Sequence, residues 1–254
     1  MTKNFKLQTK IVDGIILLFI TLSLLIDFVN GAIIASGNTN ISFGQLIKVL
    51  VLFLIVIRVI QNRSNVTPRL YLLLYIFFVS IIINLVFLRY ELNSIYIDTL
   101  FAIKPLFFFS IYFWLINKKG DGFVTTKTIN KIININIFLI VINQSVGLLG
   151  YGYASYAIGK SREIGTSGFF YSGNEYAIVI VLIFALKLFF VYSRHPKKYF
   201  YWATILVILA STTAVKTAIL GTFMLAVAIP LLKTKFLFTK VTSLSIFSSY
   251  LLSY

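Results

Sequence analysis

The residues whose side chains are best suited to catalysis or binding lie in one polar segment, residues 150–175, between two apolar runs. Within fourteen positions this segment carries Arg162, Glu163, Asn174 and Glu175. The guanidinium of Arg162 offers a planar fork of donors that suits phosphate oxygens, and Glu175 is able to accept a proton from a hydroxyl group. A solvated loop in which Arg162 pairs with Glu163 or Glu175 is the structural alternative.

Glycines and intramembrane charges extend this set of candidates. Gly165, Gly168 and Gly173 permit tight turns and a close approach of the backbone. A charge within an apolar run is costly unless it is paired or hydrated, and the residues of this kind are Asp27, Lys48, Asp98, Lys104 and Lys216. For Lys48 and Lys104, pairing with a carboxylate or extension of the side chain toward the membrane surface is the alternative to a functional role.

A polar stripe precedes the polar segment. Asn136 and Asn143 are seven residues apart and share one helical face, and Gln144 and Ser145 follow near the outer end of the run. Such a stripe should face other helices rather than lipid. Interhelical hydrogen bonding and the lining of a hydrated cavity that opens toward residues 150–175 are both open explanations.

The composition defines the environment of these residues. The 254 residues are 59% hydrophobic and 12% charged, with a mean hydropathy of +0.94, whereas soluble domains are about 25% charged. The chain is therefore predicted to be an integral membrane protein. It has no cysteine and a single histidine, His195, so neither a thiolate nor a clustered-histidine metal site is predicted. The net charge is +16, and the lysines and arginines behind it occur in short runs between apolar stretches. This distribution fits membrane orientation signals better than nucleic-acid binding.

The apolar runs predict an all-α, polytopic helical bundle that forms a single transmembrane domain over residues 1–254. Each run is close to the ~20 residues that cross ~30 Å of hydrocarbon as a helix. Residues 199–232 would form about 51 Å of helix, too long for one crossing, so a turn is predicted at the polar cluster of Ser211, Thr212, Thr213 and Lys216. The layout has eight spans and the start of a ninth, at residues 11–34, 41–60, 70–88, 95–117, 132–149, 176–192, 199 to the turn, the turn to 232, and from 241.

Charge placement orients this layout. Sixteen of the 23 lysines and arginines fall in segments that the layout assigns to the cytoplasm, and three, Arg89, Lys160 and Arg162, fall in outer segments. This bias is the positive-inside signal. It predicts a multi-pass protein of the cell membrane with a cytoplasmic N-terminus and with residues 150–175 on the extracytoplasmic side.

Two stretches of the chain combine glycine, polar and basic residues in a distinctive order. The first is Arg162-Glu-Ile-Gly165 with Gly168-Phe-Phe-Tyr-Ser-Gly-Asn174-Glu175, and the second is Leu209-Ala-Ser-Thr-Thr-Ala-Val-Lys216-Thr-Ala-Ile-Leu-Gly221. In their order and spacing these stretches resemble the O-antigen polymerase and ligase family. Family members place an Arg-, Gly- and Asn-containing run in an outer loop and a turn of small and basic residues, often Ser-Arg-Gly, a span later. This chain has Lys216 where arginine is common and no glycine directly after it. Since family members continue through further spans and a second large outer loop, the resemblance covers the N-terminal and central part of such a domain.

The resemblance implies glycosyl transfer at the outer membrane face, from an undecaprenyl-diphosphate-linked oligosaccharide to an acceptor glycan, without a metal or another cofactor. The two cations would stabilise the leaving diphosphate and the glutamate would act as the base, so the catalytic residues would be Arg162, Glu175 and Lys216. The substrate-binding residues would be Asn174, Gly165, Gly168 and Lys104. Asn174 could instead cap the sixth helix. A flippase and a chain-length regulator would be protein partners.

Three alternatives remain open at this stage. A ligase-type enzyme would transfer glycan to a different acceptor. A transporter or polysaccharide exporter would use the intramembrane Lys and Asp residues as a substrate or proton path, and such proteins commonly show two similar halves with helix breaks at matching places. One break, near Lys216, is visible in this sequence. A membrane scaffold would carry out no catalysis.

Overall fold

The computed structural model describes residues 3–37, 43–62, 67–86, 92–119, 123–158, 162–170 and 172–233. Eight α-helices and one two-stranded hairpin occur in this part of the chain. The elements are α1 (Lys3–Ala35), α2 (Phe43–Gln61), α3 (Thr67–Val86), α4 (Leu92–Lys119), α5 (Thr126–Leu148), β1 (Tyr153–Ile158), β2 (Arg162–Gly168), α6 (Gly173–Arg194), a 3-10 turn (Pro196–Lys198), α7 (Tyr199–Ser211) and α8 (Lys216–Lys233).

The prediction of a helical fold is confirmed. Five helical stretches are long and apolar enough to cross a membrane, namely Lys10–Ala35, Gly44–Gln61, Thr67–Val86, Thr126–Leu148 and Gly173–Arg194. By contrast, α7 has 13 residues, about 20 Å of helix against ~30 Å of hydrocarbon. The count of eight complete spans therefore stays a prediction. The ninth predicted span, from Val241, lies outside the described residues.

The predicted break within residues 199–232 is confirmed. The helix α7 ends at Ser211 and α8 begins at Lys216. Between them Ala214 has a φ of 55°, in the left-handed region that costs a residue with a Cβ about 1 to 2 kcal/mol. The chain thus reverses through a turn that surrounding contacts must stabilise.

The polar segment 150–175, predicted as a loop, contains an antiparallel hairpin instead. Tyr153 lies opposite Gly168 at one end of the pairing, and Ile158 lies opposite Arg162 at the other. The hairpin places the backbone of Arg162 at the start of a strand, next to the hairpin tip.

The chain divides into two compact units. Unit 1 comprises Met1–Ile26 and Thr39–Ile129, and unit 2 comprises Asp27–Asn38 and Asn130–Tyr254. The single transmembrane domain of the sequence analysis stays a prediction.

Unit 1 has an apolar core contributed by α1, α2, α3 and α4. Its buried members are Ile16, Val51, Leu52, Ile55, Val59, Leu70, Leu106, Phe107 and Trp114. The helix α3 buries Thr67 and Leu70 near its start and exposes apolar side chains over most of its length, with Tyr75 66% exposed and Val86 60% exposed. Such a surface suits a helix in contact with lipid, because apolar side chains are not excluded from hydrocarbon as they are from water.

In unit 2, α6 packs against α7 and α8. Buried side chains of these helices include Ile180, Phe184, Leu188, Leu206, Ala210 and Ala218. Gly221 lets α8 approach α6 closely, since an added Cβ would lie 2.8 Å from Val181. Tyr199 at the start of α7 donates its hydroxyl to the carbonyl of Ala226 on α8 at 2.8 Å. The start of α6 and the turn between α7 and α8, which both belong to this packing, contact the hairpin.

Candidate functional site

The hairpin lies between the N-terminal end of α6 and the turn that precedes α8. On the β1 side, the Cα of Ser155 lies 3.7 Å from the position of a Cβ added at Gly173. On the β2 side, Thr166 donates its backbone N–H to the carbonyl of Thr212 in the α7–α8 turn at 3.2 Å. The hairpin therefore connects two helix ends that are far apart in sequence.

Gly165 makes a close contact between β2 and that turn. Its φ is 68°, and a Cβ added there would overlap the carbonyl of Thr213 and the side chain of Ala214. Glycine fits this position because it has no Cβ and adopts a positive φ without strain. The close approach expected at this glycine is thus made by the chain's own backbone, and its role in binding substrate stays a prediction.

The end of β2 is held by the amide of Asn143 on α5. Asn143 Nδ2 donates to the carbonyl of Ser167 at 2.8 Å, and Asn143 Oδ1 accepts from the backbone N–H of Phe169 at 2.9 Å. The asparagine is fully buried, so both polar groups of its amide find partners in the hairpin. Gly168 lies between the two partners with a φ of 58°, and a Cβ added there would overlap the Asn143 side chain. We call this arrangement the Asn143 clamp.

Replacing Gly168 with alanine should destabilise the protein. The new methyl group would meet Asn143 and would force a positive φ on a residue with a Cβ, which together cost about 2 to 5 kcal/mol. The midpoint of thermal unfolding in detergent should fall. Gly14→Ala is the matched control, because nothing lies within 4 Å of its added Cβ and alanine favours the helix. A Gly168→Ala midpoint equal to that of the control would contradict the Asn143 clamp.

The polar stripe predicted on α5 faces the interior of unit 2. Asn136, Asn143 and Gln144 are all buried. Gln144 Oε1 accepts a hydrogen bond from the hydroxyl of Thr212 at 2.8 Å, so α5 is joined to the α7–α8 turn as well as to β2. Asn136 Nδ2, by contrast, donates to the carbonyl of Ile132 within α5 at 2.9 Å. Hydrogen bonding to neighbouring elements is thus observed for Asn143 and Gln144, and the lining of a hydrated cavity stays a prediction.

Arg162 and Lys216 lie at the same end of unit 2. Arg162 begins β2, three residues before Gly165, and Lys216 begins α8, two residues after Ala214. Gly165 and Ala214 are in contact. The backbone from Arg162 to Gly165 and the backbone from Ala214 to Lys216 together span at most ~18 Å. This length is well below the ~30 Å of the hydrocarbon core. The backbones of the two predicted catalytic cations are therefore not separated by the thickness of the membrane, as a shared site requires.

The first turn of α6 holds the predicted base. Glu175 and its neighbour Asn174 are both exposed. Ser172 caps the helix, because its hydroxyl accepts from the backbone N–H of Glu175 at 3.4 Å. Capping by Asn174 is therefore wrong, since Asn174 already lies within the helix. Ser172 and Glu175 have the spacing of a capping box, so the carboxylate also has a structural use at a helix N-terminus, where negative charge is favourable.

Lys104 lies on α4 in unit 1. The other predicted site residues belong to unit 2 and are Arg162, Gly165, Gly168, Asn174, Glu175 and Lys216. The structure describes the backbone of Lys104 but not its side chain, so its role in binding substrate stays a prediction.

A buried ionic cluster in unit 1 has no counterpart among the sequence predictions. Arg58 donates to both carboxylate oxygens of Asp13, from Nε at 3.0 Å and from Nη2 at 2.9 Å. The ammonium of Lys118 lies 2.8 Å from Asp13 Oδ2, and Trp114 Nε1 donates to Oδ1 at 3.2 Å. We call these four residues the Asp13 cluster. It joins α1, α2 and α4 through one carboxylate.

The charge count treats Arg58 and Lys118 as cations of cytoplasmic segments, but the structure buries both, at 5% and 3% exposed. A signal for this cluster exists in the sequence. Asp13 is one of seven acidic residues and lies inside the first apolar run, where a carboxylate needs a partner. The pattern does not say which of the 23 lysines and arginines supplies that partner.

The composition and the five long apolar helices indicate a helical membrane protein. No protein-family model, no curated protein and no solved structure matches this chain. The likeness to the O-antigen polymerase and ligase family therefore rests on the two motif stretches.

Proposed function

We propose that the protein is a polysaccharide polymerase of the cell membrane. It would transfer glycan from a lipid-diphosphate-linked oligosaccharide to an acceptor glycan at the extracytoplasmic face. The product would be a capsule, an exopolysaccharide or an O-antigen chain. Support comes from the two motif stretches and from the contacts between them.

The observation that carries the proposal is the packing of β2 on the α7–α8 turn. Gly165, from the first motif stretch, contacts Thr213 and Ala214 from the second. Gly165 and the α7–α8 turn are thus in contact although α6 and α7 separate them along the chain. Each also carries a cation near the contact, Arg162 in one case and Lys216 in the other, and a purely structural contact would not require either charge.

Transfer from a lipid diphosphate needs positive charge near the leaving group. The oxygen of the acceptor hydroxyl forms a bond to the anomeric carbon, the bond from that carbon to the diphosphate oxygen breaks, and the lipid diphosphate leaves with the electron pair. In the proposed mechanism Arg162 and Lys216 stabilise the developing charge, and Glu175 takes the proton of the hydroxyl. The residues of unit 2 proposed to contact the substrates are Asn174, Gly165 and Gly168.

The proposed membrane arrangement has a cytoplasmic N-terminus, about eight spans and residues 150–175 on the extracytoplasmic side. The positive-inside bias of the lysines and arginines supports this orientation. A flippase would deliver the lipid-linked donor to that side of the membrane. A chain-length regulator is the second proposed protein partner.

Reconstitution tests the proposal directly. The purified chain in proteoliposomes, supplied with lipid-linked oligosaccharide extracted from its native host, should produce a ladder of longer lipid-linked glycans and release free undecaprenyl diphosphate. Empty liposomes should do neither. Movement of the donor between leaflets without new glycosidic bonds would contradict the polymerase proposal and favour an exporter. Transfer of single units to an unrelated acceptor would favour a ligase.

A further inference from the structure

Lys187 of α6 carries a buried cation in unit 2. The residue is 7% exposed. Its Nζ donates to Asn134 Oδ1 on α5 at 2.8 Å and lies 4.1 Å from the centre of the Trp202 ring on α7. An amide oxygen and an indole face both attract a cation, but neither carries a negative charge.

The position of Lys187 makes an unneutralised charge costly. The helix α6 is a candidate membrane span, and Lys187 lies seven residues before its last residue, Arg194, about 10 Å along the helix. A charge within a span is destabilising unless it is neutralised or hydrated. No carboxylate in the part of the chain that the structure describes pairs with Lys187. The ammonium is therefore suited to an anion from outside the chain.

The tip of Lys187 contacts an exposed polar line on α5. Lys131 and Asn134 are both exposed, and their spacing puts them on one face of the helix. Because Asn134 contacts Lys187, the part of α5 that begins unit 2 and the end of α6 lie at the same end of that unit. That end also carries the exposed cations Arg194, Lys197 and Lys198. The exposed polar residues on this face of α5 therefore extend from the cation-rich end of unit 2 to Asn134, which contacts the buried ammonium of Lys187.

The same face of α5 becomes apolar beyond Asn134. Phe138 and Val141 continue its spacing and are 63% and 40% exposed. A ligand that follows this face would meet cations first and apolar side chains next. A phospholipid has this order of groups, with a charged headgroup above acyl chains, whereas a free phosphate has no apolar part.

We propose that Lys131, Asn134, Lys187 and Trp202 bind the phosphodiester headgroup of an anionic phospholipid. The phosphate pairs with the two ammonium groups, and the acyl chains lie along the apolar continuation of α5. The long aliphatic stem of Lys187 lets its ammonium meet a headgroup from within the span. Tryptophan side chains favour the membrane interface, and anionic lipids of the cytoplasmic leaflet attract cations in such positions. This site is independent of the proposed polymerase activity, and its assignment to the cytoplasmic leaflet rests on the proposed membrane orientation.

Thermal unfolding of the purified full chain in neutral detergent tests the site. Added phosphatidylglycerol should raise the unfolding midpoint by about 3 °C or more, and phosphatidylcholine should not. Lys187→Gln should lose most of the phosphatidylglycerol shift, and Lys187→Arg should keep most of it. Arg69→Gln is the matched control, because it removes one exposed cation from the start of α3 in unit 1, and it should keep the full shift.

Each contrary outcome has a defined meaning. An equal loss of the shift in Lys187→Gln and Arg69→Gln would show bulk charge attraction and overturn the site. An equal shift with inorganic phosphate would overturn the lipid assignment in favour of a free anion. If Lys187→Gln does not fold, Lys131→Gln replaces it, since that position is exposed. A reduced shift in Lys131→Gln supports the site, and a full shift overturns it.

Discussion

Replacing Arg162 with lysine is expected to lower polymer formation by about 100- to 1,000-fold and to leave membrane insertion intact. Lysine keeps the positive charge but loses the planar fork that holds two phosphate oxygens at once. Loss of one preorganised donor at a site of developing negative charge typically has an effect of about this size. The fold should tolerate the change, because Arg162 begins β2 next to the hairpin tip and lysine keeps the backbone pairing of this position with Ile158.

Polymer length on gels of cell extracts measures this effect, with membrane abundance of the variant measured in parallel. Arg194→Lys is the matched control, since it makes the same chemical change at an exposed position at the C-terminal end of α6. Normal polymer in Arg162→Lys would remove Arg162 from the proposed mechanism. Equal loss in both variants would point to a general effect of arginine removal and would also count against it.

Replacing Asp13 with asparagine is expected to destabilise the protein by about 3 to 5 kcal/mol, the usual effect of removing one partner from a buried ion pair. Asp13 receives two hydrogen bonds from Arg58 and an ion pair from Lys118. All three side chains are nearly fully buried. Without the carboxylate, two cations would remain together in a region of low dielectric, where their repulsion and their desolvation both oppose folding.

A double variant distinguishes this electrostatic effect from a loss of packing. Asp13→Asn combined with Lys118→Gln leaves one buried cation instead of two, so its unfolding midpoint should lie above that of Asp13→Asn alone. Trp114 lies in the Asp13 cluster, and its fluorescence in a Trp202→Phe background reports unfolding of unit 1, because the chain has two tryptophans. A double variant less stable than Asp13→Asn would contradict the charge explanation.

The helices of this protein were predictable because their signal is local. A run of apolar residues of sufficient length needs no partner to be recognised as a membrane helix. The turn between α7 and α8 was also predictable, since residues 199–232 exceed one bilayer crossing and contain a single polar cluster at Ser211–Lys216. Both follow from the thickness of the membrane and the rise of a helix.

The hairpin was not predictable in the same way. Its strands are short, and alanine, serine and glycine interrupt their aromatic and β-branched residues, so neither strand shows the sustained alternation that marks a strand. The pairing depends on Asn143 of α5 and Thr212 of the α7–α8 turn. The Asn143 side chain and the backbone carbonyl of Thr212, both from distant elements, thus hold the hairpin, and its own composition gives little indication of it.

Composition and the lengths of the apolar runs indicated a helical membrane protein, and they located most of its helices. The pairing of Asp13 with Arg58 and Lys118, the contact of Lys187 with Asn134 and the packing of Gly165 on the α7–α8 turn became visible once the elements were packed together. The two groups of features differ in the range of the interactions behind them. Apolar length and polar breaks act within one helix, whereas each of these contacts joins residues from separate elements and depends on how the elements pack.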